Sequence, residues 1–472
     1  MSQFGVWVAL GLLASWLGRF DLGIWTALPR EVADRRARGD LEGLRTLSAT
    51  WLFYDLSLGI AIVAAAVFAA PYLLGAFAID PGIVTAPVWG VVAVQAVVQP
   101  ILRHFMYTLN GLQRLDRVNQ VSMAAAPVWG VGIVIFVEQG LGLLGLAINN
   151  LLFALLQAGA VAVLLRSEGY PLSLSPASFR SRDLRALVSF GWKMEAGDLL
   201  TTLLRSDRLL LGPLGYPSST VALYQFGSAV PDRLASGVIH LSSSILPAVA
   251  DLSVRGDTER IRSLFLRSTK YHALAGAGLL GFAVLFAHEL LMLWLKRPLP
   301  ESVEVLRIMA VGAFAATVVS PAMAVAAALG RAGLRTLCVL ASLAGALLLY
   351  MAGARRYDVA GLALAVSGGT VLAQVLFMIG FRRLVEFRWR EYVGNALLKP
   401  LAAGVPPVAV FVGWRLAASH LPPVDGRLSA LAVLAPALAL TVLLSWLLAR
   451  AAGSLDAYDV DVLKSLGRRS SA

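Results

Sequence analysis

The sequence predicts an all-α polytopic membrane protein of about 13 transmembrane helices, arranged as two parallel-repeat lobes followed by two C-terminal helices. Three observations predict it. Hydrophobic residues make up 58% of the chain and charged residues 14%, where a soluble domain holds about 45–50% and about 25%. Apolar runs of roughly 20 residues, each long enough to cross a bilayer as a helix, recur along the whole length. Finally, a polar stretch occurs twice: Arg38-Gly39-Asp40-Leu41-Glu42-Gly43-Leu44-Arg45 returns 217 residues later as Arg255-Gly256-Asp257-Thr258-Glu259-Arg260-Ile261-Arg262. Each copy follows an apolar segment ending in Leu-Pro (Leu28-Pro29 and Leu246-Pro247) and precedes another. Trp7 matches Tyr224 at the same offset, and Pro100 and Arg114 pair with Pro321 and Arg335 at an offset of 221. Matches in this order at nearly one spacing point to an internal duplication.

Taken in order, the expected spans are 4–28, 47–76, 84–108, 118–138, 141–165, 186–212, 221–249, 270–294, 303–329, 334–353, 358–381, 394–417 and 427–449. The first lacks the basic n-region of a signal peptide and is too long to be one. Orientation follows from loop charge. The loops after spans 1, 3, 5, 7, 9 and 11, with the C-terminal tail, hold 24 of the 40 Lys and Arg, whereas the opposite side holds 4. The tail is therefore expected in the cytoplasm and the N-terminus outside. The Arg-Gly-Asp loops are six spans apart and share a side, so the halves read as parallel repeats rather than inverted ones.

This divides the chain into an N-lobe at 1–165, a cytoplasmic linker at 166–185, a C-lobe at 186–390, two additional helices at 391–450 and a tail at 451–472. The linker is rich in Pro, Gly and Ser and suits a flexible connector. Span 186–212 has no partner in the first half, since subtracting 217 places it before Met1. The expectation is that an opening helix is missing, through truncation or a misplaced start codon.

The net charge of +12 would suggest nucleic acid for a soluble protein; here it reads as a topology signal. The single cysteine, Cys338, lies in an apolar run and permits no internal disulfide. The five histidines lack metal-ligand spacing. No cofactor, no metal and no catalytic residues are expected.

Polar groups inside the spans carry the functional signal, because ionised side chains in hydrocarbon cost roughly 2.5–3.5 kcal/mol each. Glu195, Asp198, Thr202, Arg205 and Arg208 recur at steps of three or four, one helical stripe, while Asp207 points away. Facing lipid, four such charges would cost on the order of 10 kcal/mol. The stripe is expected to line a water-filled path, the bland alternative being internal ion pairs between helices. Span 221–249 adds Gln225, Asp232, Ser236 and Ser243 on one face, with Arg233 and His240 adjoining and Pro231 placed to kink the helix. Arg19 and Asp21 lie in the first span; Asp55, Gln95, Gln99, Asn149 and Asn150 suit hydrogen bonds between helices. Arg19, Arg205, Arg208 and Arg233 supply permanent positive charge that forks onto phosphate oxygens. Glu195, Asp198, Asp232 and Gln225 are candidates for the cavity and for ion coupling.

Several stretches then resemble the polysaccharide (O-antigen-type) lipid-linked oligosaccharide flippases of the multidrug/oligosaccharidyl-lipid/polysaccharide exporter superfamily. They are Phe4-Gly5-Val6-Trp7, Asp21-Leu22-Gly23, the Arg-Gly-Asp loops, Asn110-Gly111-Leu112-Gln113-Arg114, Ser206-Asp207-Arg208-Leu209-Leu210-Leu211-Gly212 and Leu246-Pro247. The resemblance implies fourteen helices, as two six-helix lobes plus two. It implies movement of undecaprenyl-pyrophosphate-linked oligosaccharide across the bacterial inner membrane by alternating access, with protons or sodium ions as candidate coupling ions and no nucleic-acid partner. Other readings are a peptidoglycan-precursor flippase, a drug/cation antiporter, which predicts an acidic cavity, and a membrane glycosyltransferase or polymerase. The last needs a sizeable outside loop, and every outside loop here is short.

Overall fold

Within a bilayer a backbone that cannot reach water must satisfy its own polar groups, and helix is what the described residues form. The computed structural model describes residues 6–7, 24–76, 82, 84–173, 179–181, 183–185, 218–331, 333–401, 405–418 and 426–451. In one compact unit, Met1–Ala222, lie α1 (Ile24–Ala37), α2 (Leu41–Ala76), α3 (Ala86–Gly111), α4 (Leu115–Glu138) and α5 (Gly142–Ser167). Helix α6 (Ser218–Ile239) begins at the unit boundary. The second unit, Leu223–Ala472, continues with α7 (Ile245–Val254), α8 (Thr258–Leu285), α9 (Ala287–Leu295), α10 (Pro300–Ala328), α11 (Gly333–Ala352), α12 (Asp358–Phe381), α13 (Val405–Ala418) and α14 (Arg427–Ala451). Between α12 and α13 runs a helical stretch, Trp389–Leu401, whose middle, Tyr392–Leu398, is π-helical.

The repeated motif folds the same way twice. Gly39 takes φ +69°, the left-handed conformation that closes a helix without a Cβ clash. Its N–H donates to the Arg36 carbonyl at 3.1 Å, and the Asp40 N–H donates to the Arg35 carbonyl at 3.0 Å. Asp40 then caps α2, its carboxylate accepting from the Gly43 N–H at 2.7 Å. Between α7 and α8 every one of these bonds recurs 217 residues on. Gly256 has φ +71°, its N–H reaches Ser253 and the Asp257 N–H reaches Leu252, each at 3.1 Å, and the Asp257 carboxylate accepts from the Arg260 N–H at 3.1 Å. An exposed ion pair of 2.9 Å clamps each turn, Arg38–Asp34 and Arg255–Asp251.

The next turn corrects one expected alignment. The N–H groups of Leu112, Gln113 and Arg114 donate to Thr108, Asn110 and Leu109; those of Leu329, Gly330 and Arg331 donate to Val325, Ala327 and Ala326. The offset is again 217, so Arg114 corresponds to Arg331 and not to Arg335, and Pro100 to Thr317. A proline shared at a shifted register was coincidence; the backbone bonds fix the true one.

Packing follows the duplication. Helices α2 and α5 each pack on α3, as α8 and α12 pack on α10, and α4 lies on α5 as α11 lies on α12. The buried cores use matching positions: Leu28 and Ile245, Val32 and Val249, Leu44 and Ile261, Leu109 and Ala326, Val161 and Met378. The symmetry breaks at one place. Where α2 is a single 36-residue helix, the second unit bends by 73° between α8 and α9. Phe286 sits at that bend, buried with Phe282, Val410, Leu434 and Ala437. The helices without partners in the first half, α13 and α14, are the ones packed over it.

Among the described residues nine helices are long and apolar enough to span a membrane, ten when the bent α8–α9 pair is one span. These ten match the expected spans from 47 onward, apart from two. Expected span 186–212 lies outside the described residues, as does most of 4–28. Span 221–249 is divided between α6 and α7 by a 3-10 segment, His240–Ser244.

The connector after α5 departs from its expected flexibility where it is described. The Ser173 N–H donates to Ser48 Oγ at 3.4 Å, the Arg180 N–H to Thr50 Oγ1 at 3.0 Å, and Phe179 meets Phe53 edge-on. Arg35 holds it most firmly, bonding Glu31 at 2.9 Å, Asp183 at 3.0 Å and the Gly43 carbonyl at 2.7 Å. Burial works against the charge, yet Asp183 and Glu31 keep the Arg35 pKa above its ordinary value. Arg35→Ala would leave Asp183, only 18% exposed, without its cation. The expected cost is about 3 kcal/mol, read as faster proteolysis within 166–185. Arg38→Ala breaks a pair that is 71% and 47% exposed and should leave that rate unchanged.

Candidate functional site

The expected span 221–249 carries its polar residues on α6, and their exposure is uneven. Asp232, Arg233, Ser236, Gly237 and His240 are all exposed, while Pro231, Ala235 and Val238 are buried. Steps of one, three and four place the exposed set on one face. Gln225, two turns earlier, is half-buried, and its Oε1 is buried without a described hydrogen-bond partner. Pro231 has no N–H to donate, and the helix tightens to 3-10 geometry at His240. Close packing sets the position of this face. A Cβ on Gly227 would lie 2.6 Å from the Ser302 carbonyl oxygen, and Ser302 Oγ donates to the Leu223 carbonyl at 2.8 Å. Glycine thus brings α6 against α10 and turns Asp232 and Arg233 outward.

Of the residues expected in the site, the structure places Gln225, Asp232 and Arg233 on this one helix. Arg19, Glu195, Asp198, Arg205 and Arg208 lie outside the described residues.

Two buried polar centres come from residues that sequence reasoning passed over or ranked low. In the first unit, Asp55 of α2 and His104 of α3 are both fully buried, with Asp55 Oδ2 3.4 Å from His104 Nδ1. Trp51 lies against the imidazole, ring centroids 5.9 Å apart. In the second unit His272 is the repeat position of Asp55. His272 Nε2 bonds Ser242 Oγ at 2.8 Å, Ser242 Oγ bonds Ser320 Oγ at 3.0 Å, and His272 Nδ1 donates to the Ser268 carbonyl at 2.7 Å. Both centres tie the second repeat helix to its neighbours. The offset of 217 from Asp55 to His272 was the signal in the sequence; His104 gave none, because its partner sits on another helix.

A buried pair broken on one side leaves an uncompensated group, whereas an apolar replacement of both is nearly neutral. Asp55→Leu and His104→Leu are each expected to destabilise by about 1–3 kcal/mol, and the double variant by less than their sum. Thermal unfolding in detergent measures the cycle.

Asn149 and Asn150 behave as interhelical glue. Asn149 Nδ2 donates to the Trp129 carbonyl at 3.1 Å, and Trp129 Nε1 donates to Asn150 Oδ1 at 2.7 Å, joining α4 to α5. No cluster of metal-ligating side chains occurs among the described residues.

The fold is shared with known transporters. An inward-facing multidrug resistance MATE family transporter of the MOP superfamily superposes with a TM-score of 0.70 at 15% identity, over 81% of this chain and 90% of the other. The outward-facing conformation of a MATE family transporter of that superfamily gives 0.56 at 14% identity, over 81% and 87%. A Vibrio cholerae MATE transporter variant gives 0.57 at 18% identity, over 83% and 90%. No curated protein matches the chain in sequence. The model of a family described as polysaccharide biosynthesis protein matches residues 42–304, from the start of α2 into α10. With a match across more than half its length, the chain belongs to the polysaccharide biosynthesis protein family, as a polytopic membrane protein whose described residues share a MATE-like, all-helical fold.

Proposed function

We propose that the protein is a flippase carrying undecaprenyl-pyrophosphate-linked oligosaccharide from the cytoplasmic to the outer leaflet of a bacterial inner membrane. The observation that carries this reading is the family match across residues 42–304 on a MATE-like transporter fold. Family supplies the polysaccharide, fold supplies the transporter, and a lipid carrier reconciles the two. Transport in this reading proceeds by alternating access, with an N-lobe (1–165), a C-lobe (186–390), a linker (166–185), two added helices (391–450) and a tail (451–472). The C-terminus and the Arg-Gly-Asp turns face the cytoplasm, as the loop charge asks.

In this mechanism Arg19, Arg205, Arg208 and Arg233 bind the pyrophosphate, each guanidinium forking onto oxygens whose charge would otherwise bar the bilayer. Gln225 contacts sugar. The lipid tail stays in hydrocarbon throughout, so only the headgroup needs a polar route. Glu195, Asp198 and Asp232 are the carboxylates that bind a proton or sodium ion, and an ion bound there biases the lobes toward one face only as far as it binds that face more tightly. The exposure of Asp232, Arg233 and Ser236 along one face of α6, continued by His240, supports a polar surface there.

Similarity to multidrug transporters favours one rival, a drug/cation antiporter. The decisive comparison loads proteoliposomes with lipid-linked oligosaccharide in one set and ethidium in another. Protein-dependent arrival of saccharide at the far leaflet, without ethidium efflux, supports the flippase. Ethidium efflux with no saccharide transfer replaces it with the antiporter.

A further inference from the structure

We propose that the turn after α12 is a binding site for the phosphate-bearing headgroup of an anionic phospholipid of the cytoplasmic leaflet, distinct from the transport path. The structure has a cleft of about 340 Å³ there, lined among the described residues by Ile379, Arg382, Arg383 and Trp389. Helix α12 closes with the Arg382 N–H on the Met378 carbonyl, the Arg383 N–H on Gly380 and the Leu384 N–H on Phe381. That tight turn sets two consecutive guanidinium groups one helical turn beyond Ile379, on its face. Ile379 is 51% exposed. The cleft is thus apolar toward the hydrocarbon and cationic toward water, the profile of a glycerophospholipid headgroup with the start of its chains.

Its far wall is built rather than incidental. Trp389 is half-buried and held by Phe387 at 5.4 Å and Tyr392 at 6.0 Å between ring centroids. Both partners belong to a buried cluster with Phe265 and Phe381. An indole anchored this way suits the interfacial depth where tryptophan concentrates. Charge points the same way. Arg382, Arg383, Arg388 and Arg390 are exposed, and none forms an ion pair among the described residues. Two acids stand beside them: Glu391 is engaged by Arg262 on α8, and the exposed Glu386 still leaves the four arginines in excess. Basic pockets on the cytoplasmic side of membrane helices gather anionic headgroups in this manner. Free phosphate would find the same guanidinium groups, but it gains nothing from the apolar floor.

The test uses the full chain released from mixed micelles holding equal phosphatidylglycerol and phosphatidylcholine, with bound lipid counted by native mass spectrometry. The wild type is expected to retain phosphatidylglycerol preferentially. Arg382→Ala with Arg383→Ala should weaken that retention about tenfold or more, whereas Arg355→Ala with Arg356→Ala, an exposed pair at the opposite end of α12, should not. Unchanged retention in the first double variant overturns the site. So does displacement of the lipid by inorganic phosphate at equal concentration. Displacement by undecaprenyl pyrophosphate, lost in the same variant, reassigns the cleft to the transported lipid and overturns the phospholipid. Since transport is not measured, failure here leaves the flippase reading untouched.

Discussion

Arg205→Ala combined with Arg208→Ala is expected to reduce transfer of lipid-linked oligosaccharide to the outer leaflet by at least about a hundredfold, with the protein still folded and inserted. Each guanidinium is taken to make charge-assisted hydrogen bonds to the pyrophosphate, worth roughly 1.5–3 kcal/mol apiece. Losing two therefore costs at least about 3 kcal/mol, or two powers of ten. Lysine at both positions should recover only part of the rate, since an ammonium keeps the charge and loses the planar fork. Arg255→Ala, at an exposed turn whose ion pair is 65% and 59% exposed, is the matched control and should transport normally. Transfer at the wild-type rate by the arginine-to-alanine pair would remove these residues from the mechanism.

Gly369→Leu is expected to abolish folding of the second unit. A Cβ at this position would lie 2.4 Å from the Ala346 backbone nitrogen and 2.6 Å from the Ser342 carbonyl oxygen. Backbone cannot rotate out of the way as a side chain can, so α11 and α12 would have to separate. Gly345 faces the same contact, where its own Cβ would stand 3.1 Å from the Gly369 Cα. Membrane helices associate through such small residues because lipid gives apolar surfaces little reason to pair. Separation would also cost the bond of 3.2 Å between Ser342 and Thr370 and the Cys338 Sγ contact of 3.5 Å with the Ala373 carbonyl. The penalty exceeds the roughly 1–3 kcal/mol of ordinary overpacking. Size-exclusion of a fluorescent fusion should show loss of the monodisperse peak. Gly380→Leu, on the same helix with open space at its Cβ, should keep it.

How much was legible beforehand depended on whether the information was local. Apolar runs and loop charge are properties of consecutive residues, and ten expected spans reappear as helices or as one bent pair. The duplication was readable from the Arg-Gly-Asp turns because glycine at φ near +70° and an aspartate cap impose identity on a short stretch. Its register in α3 and α10 was not, since apolar membrane helices tolerate many side chains and a shared proline misled by four residues. The 73° bend at Phe286 was invisible too, for no proline or glycine marks it and its cause is packing from α13 and α14, far along the chain. The linker looked flexible by composition, yet Asp183 and Arg180 find partners on α1 and α2 that composition does not encode. The charged face of α6 was legible from spacing in the sequence; the burial of His104 against Asp55 required the fold.

The central claim is that the stripe Glu195, Asp198, Thr202, Arg205 and Arg208 borders water inside the membrane. Thiol accessibility tests it most directly. The one native cysteine, Cys338, is buried, and Cys338→Ala clears the background. With single cysteines placed along the expected span 186–212, a membrane-impermeant maleimide should label Asp198→Cys, Thr202→Cys and Arg205→Cys, and should spare Leu200→Cys and Leu204→Cys, which helical spacing would set away from the stripe. Labelling with that helical period is the predicted result. Equal labelling all round, or protection at Thr202 and Arg205 with reaction at the two leucines, would contradict the watered cationic path.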